Sequence, residues 1–231
     1  MGVKLTLINK MARKQFGIVI NGMPQSGKSV MLKYWIDAYS DTGRRIYIIN
    51  PKREIQWDTW GIKRLHESRV KLLPAGGFQI QPSYDKGSDE AFRQIVSDID
   101  RAGRKFSGLL VTDDATVCMG PENNKYLKGF YCTHGQKDMD YICVYHTLNA
   151  VPGWFADNSP MGILFQSGAI ERASKSKVPA HWLVVQNVVN QNSDKIPYLY
   201  AVVDWFKPEK TYYGRLKMSG GNPVGEEIFS L

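Results

Sequence analysis

Eight residues, Gly22-Met-Pro-Gln-Ser-Gly27-Lys28-Ser29, constrain this 231-residue chain more than any other stretch, because they complete the pattern G-x-x-x-x-G-K-[ST]. The apolar run Phe16-Gly-Ile-Val-Ile20 before them reads as a buried strand. The run after them, Val30 to Tyr39, reads as a helix. A glycine-rich loop between a strand and a helix can curl its N–H groups around a polyphosphate, and the helix N-terminus adds partial positive charge. The segment from Gly22 through Pro24, Gln25, Ser26 and Gly27 to Val30 is therefore the expected cradle for ATP or GTP. Lys28 would reach the β- and γ-phosphates, and the Ser29 hydroxyl would ligate Mg²⁺.

A hydrophobic fraction of 43% over this length can bury a core of one α/β domain, taken as residues 1–231. No apolar run reaches about 18 residues, so no transmembrane helix is expected. Met1-Gly-Val-Lys-Leu-Thr lacks the apolar core of a secretory signal, and Gly2 with Thr6 matches a myristoylation pattern loosely. Three cysteines, Cys118, Cys132 and Cys143, form no CxxC pair and point to a reducing compartment. Cys132 and His134 do not have the spacing of a common zinc site, and Cys143 lies within an apolar strand. A net charge of +8 favours polyanionic partners, nucleic acid or an anionic membrane surface.

Further strands are expected at Arg45–Asn50, Val70–Leu73, Leu109–Thr112, Tyr141–Tyr145 and Met161–Phe165. Two more, Tyr198–Val203 and Thr211–Leu216, would form a C-terminal hairpin. Helices are expected over 88–102, with Ser88 as N-cap, over 123–133 and around 182–189. Apolar strands alternating with helices imply a mostly parallel sheet covered on both faces.

A nucleotide hydrolase also needs a carboxylate at the end of a neighbouring strand. Leu109-Leu-Val-Thr-Asp113-Asp114 supplies one about 85 residues after Lys28, with Asp113 on the metal side and Asp114 orienting or deprotonating the attacking water. His146, at the end of Tyr141–Tyr145, is placed either to sense the γ-phosphate or simply to cap its strand.

Together these three motifs resemble the FtsK–HerA superfamily of DNA-pumping ATPases. The span Asp140-Tyr-Ile-Cys-Val-Tyr-His-Thr-Leu-Asn-Ala-Val-Pro152 carries the most specific part. The small size resembles the viral branch, the genome-packaging ATPases of membrane-containing icosahedral viruses. The resemblance implies a RecA-like P-loop NTPase fold and a ring, pentamer or hexamer, that drives viral genomic DNA into a preformed capsid. It also implies ATP and Mg²⁺ as cofactors, capsid-vertex or virion membrane proteins as partners, and a location at the packaging vertex and in the host cytoplasm.

The chain departs from the family at three points. Asp114 stands where the family usually has Glu, and His146 where it commonly has Gln. The upstream position of the trans-acting arginine falls in Thr133-His-Gly-Gln-Lys137, leaving Lys137 to supply the charge, or Arg101, Arg104 or Arg172 from elsewhere. Arg172, Lys175 and Lys177 form a compact basic loop suited to DNA phosphates, with Arg101-Ala-Gly-Arg104-Lys105 a second cluster. Trp57, Trp60 and Trp154 fit core or subunit packing better than base stacking. The competing readings are a filamentous-phage-type assembly ATPase exporting DNA, a non-motor nucleotide switch, and a small-molecule kinase.

Overall fold

Five consecutive buried residues, Gly17–Asn21, form β1, and the glycine-rich turn that follows hands the chain to helix α1, Lys28–Ser40. The computed structural model describes residues 16–52, 55–65, 77–80, 88–102, 107–118, 125–168, 178–204, 207–220 and 222–229. They fall into two units, one drawn from residues 1–38 and 144–231, the other from 39–143.

In the first unit β1 pairs in parallel with β7, Met161–Phe165, with Ile18 opposite Met161 and Asn21 opposite Leu164. From β7 the pairing turns antiparallel through β8, Leu199–Asp204, then β9, Tyr212–Ser219, then β10, Asn222–Phe229. Helix α7, Ala180–Asn192, packs on β7 and β8. It buries Trp182, Val185, Gln186 and Val189, the i, i+3, i+4, i+7 stripe of a one-faced helix. Gly162 makes room for it: a Cβ there would stand 2.8 Å from the Trp182 ring and 2.9 Å from Val203. A third helix, α6, is the single turn Gly153–Ala156.

The second unit is a wholly parallel sheet in the order β6-β5-β2-β4-β3. Its strands are β2 (Arg45–Ile49), β3 (Lys63–Leu65), β4 (Gly77–Ile80), β5 (Gly108–Thr112) and β6 (Met139–Tyr145), the last ending in the first unit. β5 and β6 are buried along their full length and β2 nearly so, as parallel strands covered on both faces must be. Helix α3, Ser88–Ala102, buries Phe92, Ile95, Val96 and Ile99 and packs against α4, Ala115–Cys118, and α5, Lys125–Cys132. The short helix α2 is Gln56–Thr59. One buried charge is well supplied: the Asp140 carboxylate accepts from Tyr39 Oη at 2.9 Å and Arg44 Nη1 at 2.8 Å. Burial beside that carboxylate raises the Tyr39 phenol far above its ordinary range. Burial likewise pushes the Cys143 thiol up to about 12, so it behaves as core.

The mostly parallel sheet and the C-terminal antiparallel hairpin are as expected, and α3 has the expected bounds. Three strands escaped the sequence reading. Gly77, a residue of low strand propensity, opens β4. β3 is too short and charged to stand out. β10 carries Pro223 and two glutamates, residues a strand tolerates at a sheet edge and a composition argument discounts. The expected strand Val70–Leu73 lies outside the described residues.

Candidate nucleotide site

The phosphate loop is fastened at its start by two strand ends of its own unit. Gly22 N–H donates to the Tyr145 carbonyl at 3.2 Å, and Met23 N–H to the Gln166 carbonyl at 2.7 Å. Gly22 admits no side chain, since a Cβ would lie 2.6 Å from Ser26 Oγ and 2.7 Å from Phe165 Cβ. Gln25 and Gly27 take positive φ, 64° and 105°, which turns the chain back on itself before Met31 N–H bonds to the Gly27 carbonyl and the helix proceeds. First-turn N–H groups of a helix have no acceptor inside it. Lys28 is buried, and its ammonium arches over the loop to the Met23 carbonyl at 2.7 Å. Pro24 and Gln25 are exposed, with Ser26, Ser29 and Val30 half-buried. These residues fit a polyphosphate: a backbone turn with two positive-φ residues, a helix N-terminus and one ammonium fall within eight consecutive residues.

Beneath the loop runs a buried amide relay that the sequence reading missed. Asn21 Nδ2 donates to Gln186 Oε1 at 2.8 Å. Gln186 Nε2 donates to the Phe165 carbonyl at 2.7 Å and to Asn190 Oδ1 at 3.0 Å. Asn190 Oδ1 also accepts Ser167 N–H at 2.9 Å, and its Nδ2 donates to the Ser167 carbonyl. The loop's foot is thereby tied to α7 and to the end of β7. The one local signal was a glutamine on the apolar stripe of α7. His146 follows Tyr145, whose carbonyl holds Gly22, so the expected sensor is one residue from a loop anchor.

In the second unit Asp113 and Asp114 leave the end of β5 and are both buried. Asp113 N–H continues the ladder to the Ile49 carbonyl at 3.1 Å, and its Oδ2 accepts from Trp57 Nε1 at 3.2 Å. Asp114 sits at φ 51°, a left-handed conformation aspartate tolerates, and its carbonyl accepts Val117 N–H at 3.1 Å as α4 begins. The Asp114 carboxylate pairs with Lys52. Lys52 and Trp57 are the neighbours the sequence reading did not assign. Both follow β2, where a strand's carboxyl end and its loop commonly supply function in such sheets. Trp57 is fully buried and stacks edge-on with Trp60 at 5.1 Å, which removes it from the surface aromatics.

Lys137, in the 3₁₀ turn His134–Lys137, pairs with Asp100 at 2.5 Å and lies over the Phe130 ring at 4.8 Å. Arg101 is exposed in the last turn of α3. The basic residues Arg104, Arg172, Lys175 and Lys177 lie outside the described residues.

No protein-family model and no curated protein sequence matches the chain. Solved structures do match. The genome packaging NTPase B204 of Sulfolobus turreted icosahedral virus 2, in complex with AMPPCP, superimposes with a TM-score of 0.65 at 12% identity. That match covers 86% of this chain and 96% of B204. VirB4 of Thermoanaerobacter pseudethanolicus matches with a TM-score of 0.58 at 10% identity, over 88% of this chain and 90% of its own. The fold is that of the P-loop ATPases. The P-loop NTPase fold expected from the sequence is thus the fold observed.

Proposed function

We propose that this chain is an ATP hydrolase that moves DNA, packaging a viral genome as a ring of identical subunits. The observation that carries the reading is the fastened phosphate loop within a fold that matches B204 over nearly all of both chains. B204 is a genome packaging NTPase, crystallised with ATP analogues. The likeness to VirB4 supports the broader class without the packaging role.

On this reading Lys28 neutralises the β- and γ-phosphate oxygens, and the loop's N–H groups hold the rest of the polyphosphate. Ser29 and Asp113 would hold Mg²⁺, an ion usually bound through one or two carboxylates plus the phosphates themselves, and which supplies charge neutralisation there. Trp57 aims the Asp113 carboxylate. Asp114, steadied by Lys52, orients the water and accepts its proton. His146 registers the γ-phosphate through its link to the loop anchor. A cation from a neighbouring subunit completes the site. Lys137, already engaged by Asp100, would have to leave it, which favours Arg101, Arg104 or Arg172. Arg172, Lys175 and Lys177 contact the DNA backbone, and the ring docks on capsid-vertex or virion membrane proteins, working in the host cytoplasm and at the packaging vertex.

The test is ATP turnover with and without double-stranded DNA, across protein concentration. Specific activity should climb with concentration as rings close and should rise further with DNA. Lys28→Ala should abolish it, and Asp114→Asn should bind ATP without turning it over. Turnover indifferent to both DNA and concentration would refute the motor reading in favour of a switch or kinase.

A further inference from the structure

Tyr198 has no role in the chemistry above, yet its position is unusual on three independent counts. It is one of few non-glycine residues among those described with left-handed backbone, at φ 57°. Bulky residues adopt that conformation only where their surroundings impose it, and such positions gather at ligand clamps. The residue is exposed, at 40% of its full accessible area. And the ring lies against the phosphate loop: a Cβ built on Gly27 would be 3.3 Å from Tyr198 Cδ1.

The neighbourhood explains how the ring is held there. Pro197 precedes it, and the Tyr198 carbonyl accepts Leu216 N–H at 3.4 Å. The next residue, Leu199, starts β8 and donates to the Ile196 carbonyl at 3.2 Å. Tyr200, one residue into β8, pairs with Phe165 at the end of β7. The Phe165 ring in turn is 3.1 Å from the same point on Gly27. Tyr198 is therefore fixed at the end of the sheet from which the phosphate loop springs. The other exposed aromatic ring described in this unit, Tyr212, belongs to β9 and has no such contact with Gly27.

We propose that Tyr198 is the nucleobase platform of this site, its ring stacking on the base of the nucleotide whose phosphates the loop holds. The inference rests on the nucleotide reading and extends it to the other end of the molecule. A nucleotide anchored by its phosphates at Gly27–Ser29 places its base within a nucleoside's length of that loop, and an exposed aromatic face there offers a π surface. Stacking is indifferent to base identity, because every base has a π face. Tyr198 accordingly contributes affinity for purine nucleoside triphosphates generally rather than choosing adenine over guanine.

The test separates base from phosphate. Binding of a non-hydrolysable ATP analogue, its GTP counterpart and inorganic tripolyphosphate is measured calorimetrically with Mg²⁺ for the parent, Tyr198→Asn and Tyr198→Phe. Asn tolerates left-handed backbone and so keeps the turn while removing the ring. Tyr198→Asn should weaken both nucleotide analogues by about ten- to a hundredfold. Tripolyphosphate affinity should stay within about twofold, and Tyr198→Phe should restore nucleotide affinity. Equal losses for nucleotide and tripolyphosphate would make Tyr198 a prop for the loop and overturn the proposal, as would undiminished nucleotide binding. A parent protein that binds neither would instead refute the nucleotide site as a whole.

Discussion

Replacing Gln186 by leucine removes the centre of the amide relay with little change in volume, so its effect isolates hydrogen bonding from cavity formation. Gln186 is 2% exposed and Asn21 fully buried, so water cannot stand in for the lost partner. The Asn21 amide loses the acceptor it holds at 2.8 Å, the Phe165 carbonyl loses a 2.7 Å donor, and Asn190 keeps its Ser167 contacts. Leaving a buried donor unmet costs about 1–3 kcal/mol, and the carbonyl, with a second lone pair, costs less. A total of about 2–4 kcal/mol follows, or a fall in Tm of roughly 4–16 °C for a chain of this size. The pair Asn21→Val with Gln186→Leu should recover part of that loss, because removing both partners is far cheaper than orphaning one. Denaturant unfolding of the four proteins gives the coupling energy directly. Nucleotide affinity should fall in Gln186→Leu as well, since Asn21 is the residue on which Gly22 turns. Strictly additive single losses, or a Gln186→Leu loss under about 0.5 kcal/mol, would refute the relay as a support of the loop.

Two further outcomes are expected. Trp57→Phe keeps an aromatic ring in the core but strips Asp113 of its 3.2 Å donor, so on the proposed reading the Mg²⁺ concentration for half-maximal turnover should rise several-fold. An unchanged Mg²⁺ requirement would count against Asp113 as the metal-side carboxylate. Desolvation by burial lowers the pKa of His134, opposed by its contact with the Tyr131 carbonyl and by Asp140 and reinforced by Lys137. The folded protein therefore binds the proton less readily than the unfolded chain. The stability this neutral ring contributes is complete above the unfolded value of about 6.5 and drains away as pH falls through the lower folded value. His134→Gln should flatten that acid limb, and parallel stability losses in variant and parent would sink the assignment.

The interior of the fold was readable because its information is local. A strand buried on both faces must be an unbroken apolar run, so β1, β2, β5, β6 and β7 announce themselves. A helix with one covered face must repeat at i, i+3, i+4, i+7, and α3 does so at Phe92, Ile95, Val96 and Ile99. Edge strands obey neither rule. β3 reads Lys-Arg-Leu, and the outer strand β10 places Glu227 across from Arg215, where a cross-strand ion pair at 2.8 Å offsets poor strand propensity. Such a strand is made by its pairing and not by an apolar pattern of its own.

The same distinction divides the site. The phosphate loop is contiguous in sequence because a polyphosphate is small enough for eight consecutive residues to surround, and so a pattern of spacings captures it. The groups that hold the loop and aim the carboxylates are not contiguous. Asn21 and Gln186 are 165 residues apart, and Trp57 stands 56 residues before the carboxylate it meets. Each looked ordinary in its own window: an asparagine ending a strand, a glutamine in a helix, a tryptophan after a turn. What distinguishes them is burial, since a polar group removed from water must find a partner or forfeit its hydrogen bond. A polar residue on an otherwise apolar stripe is the one trace this leaves in sequence. Gln186, between Val185 and Val189 on the covered face of α7, carries that trace, whereas Asn21 and Trp57 do not.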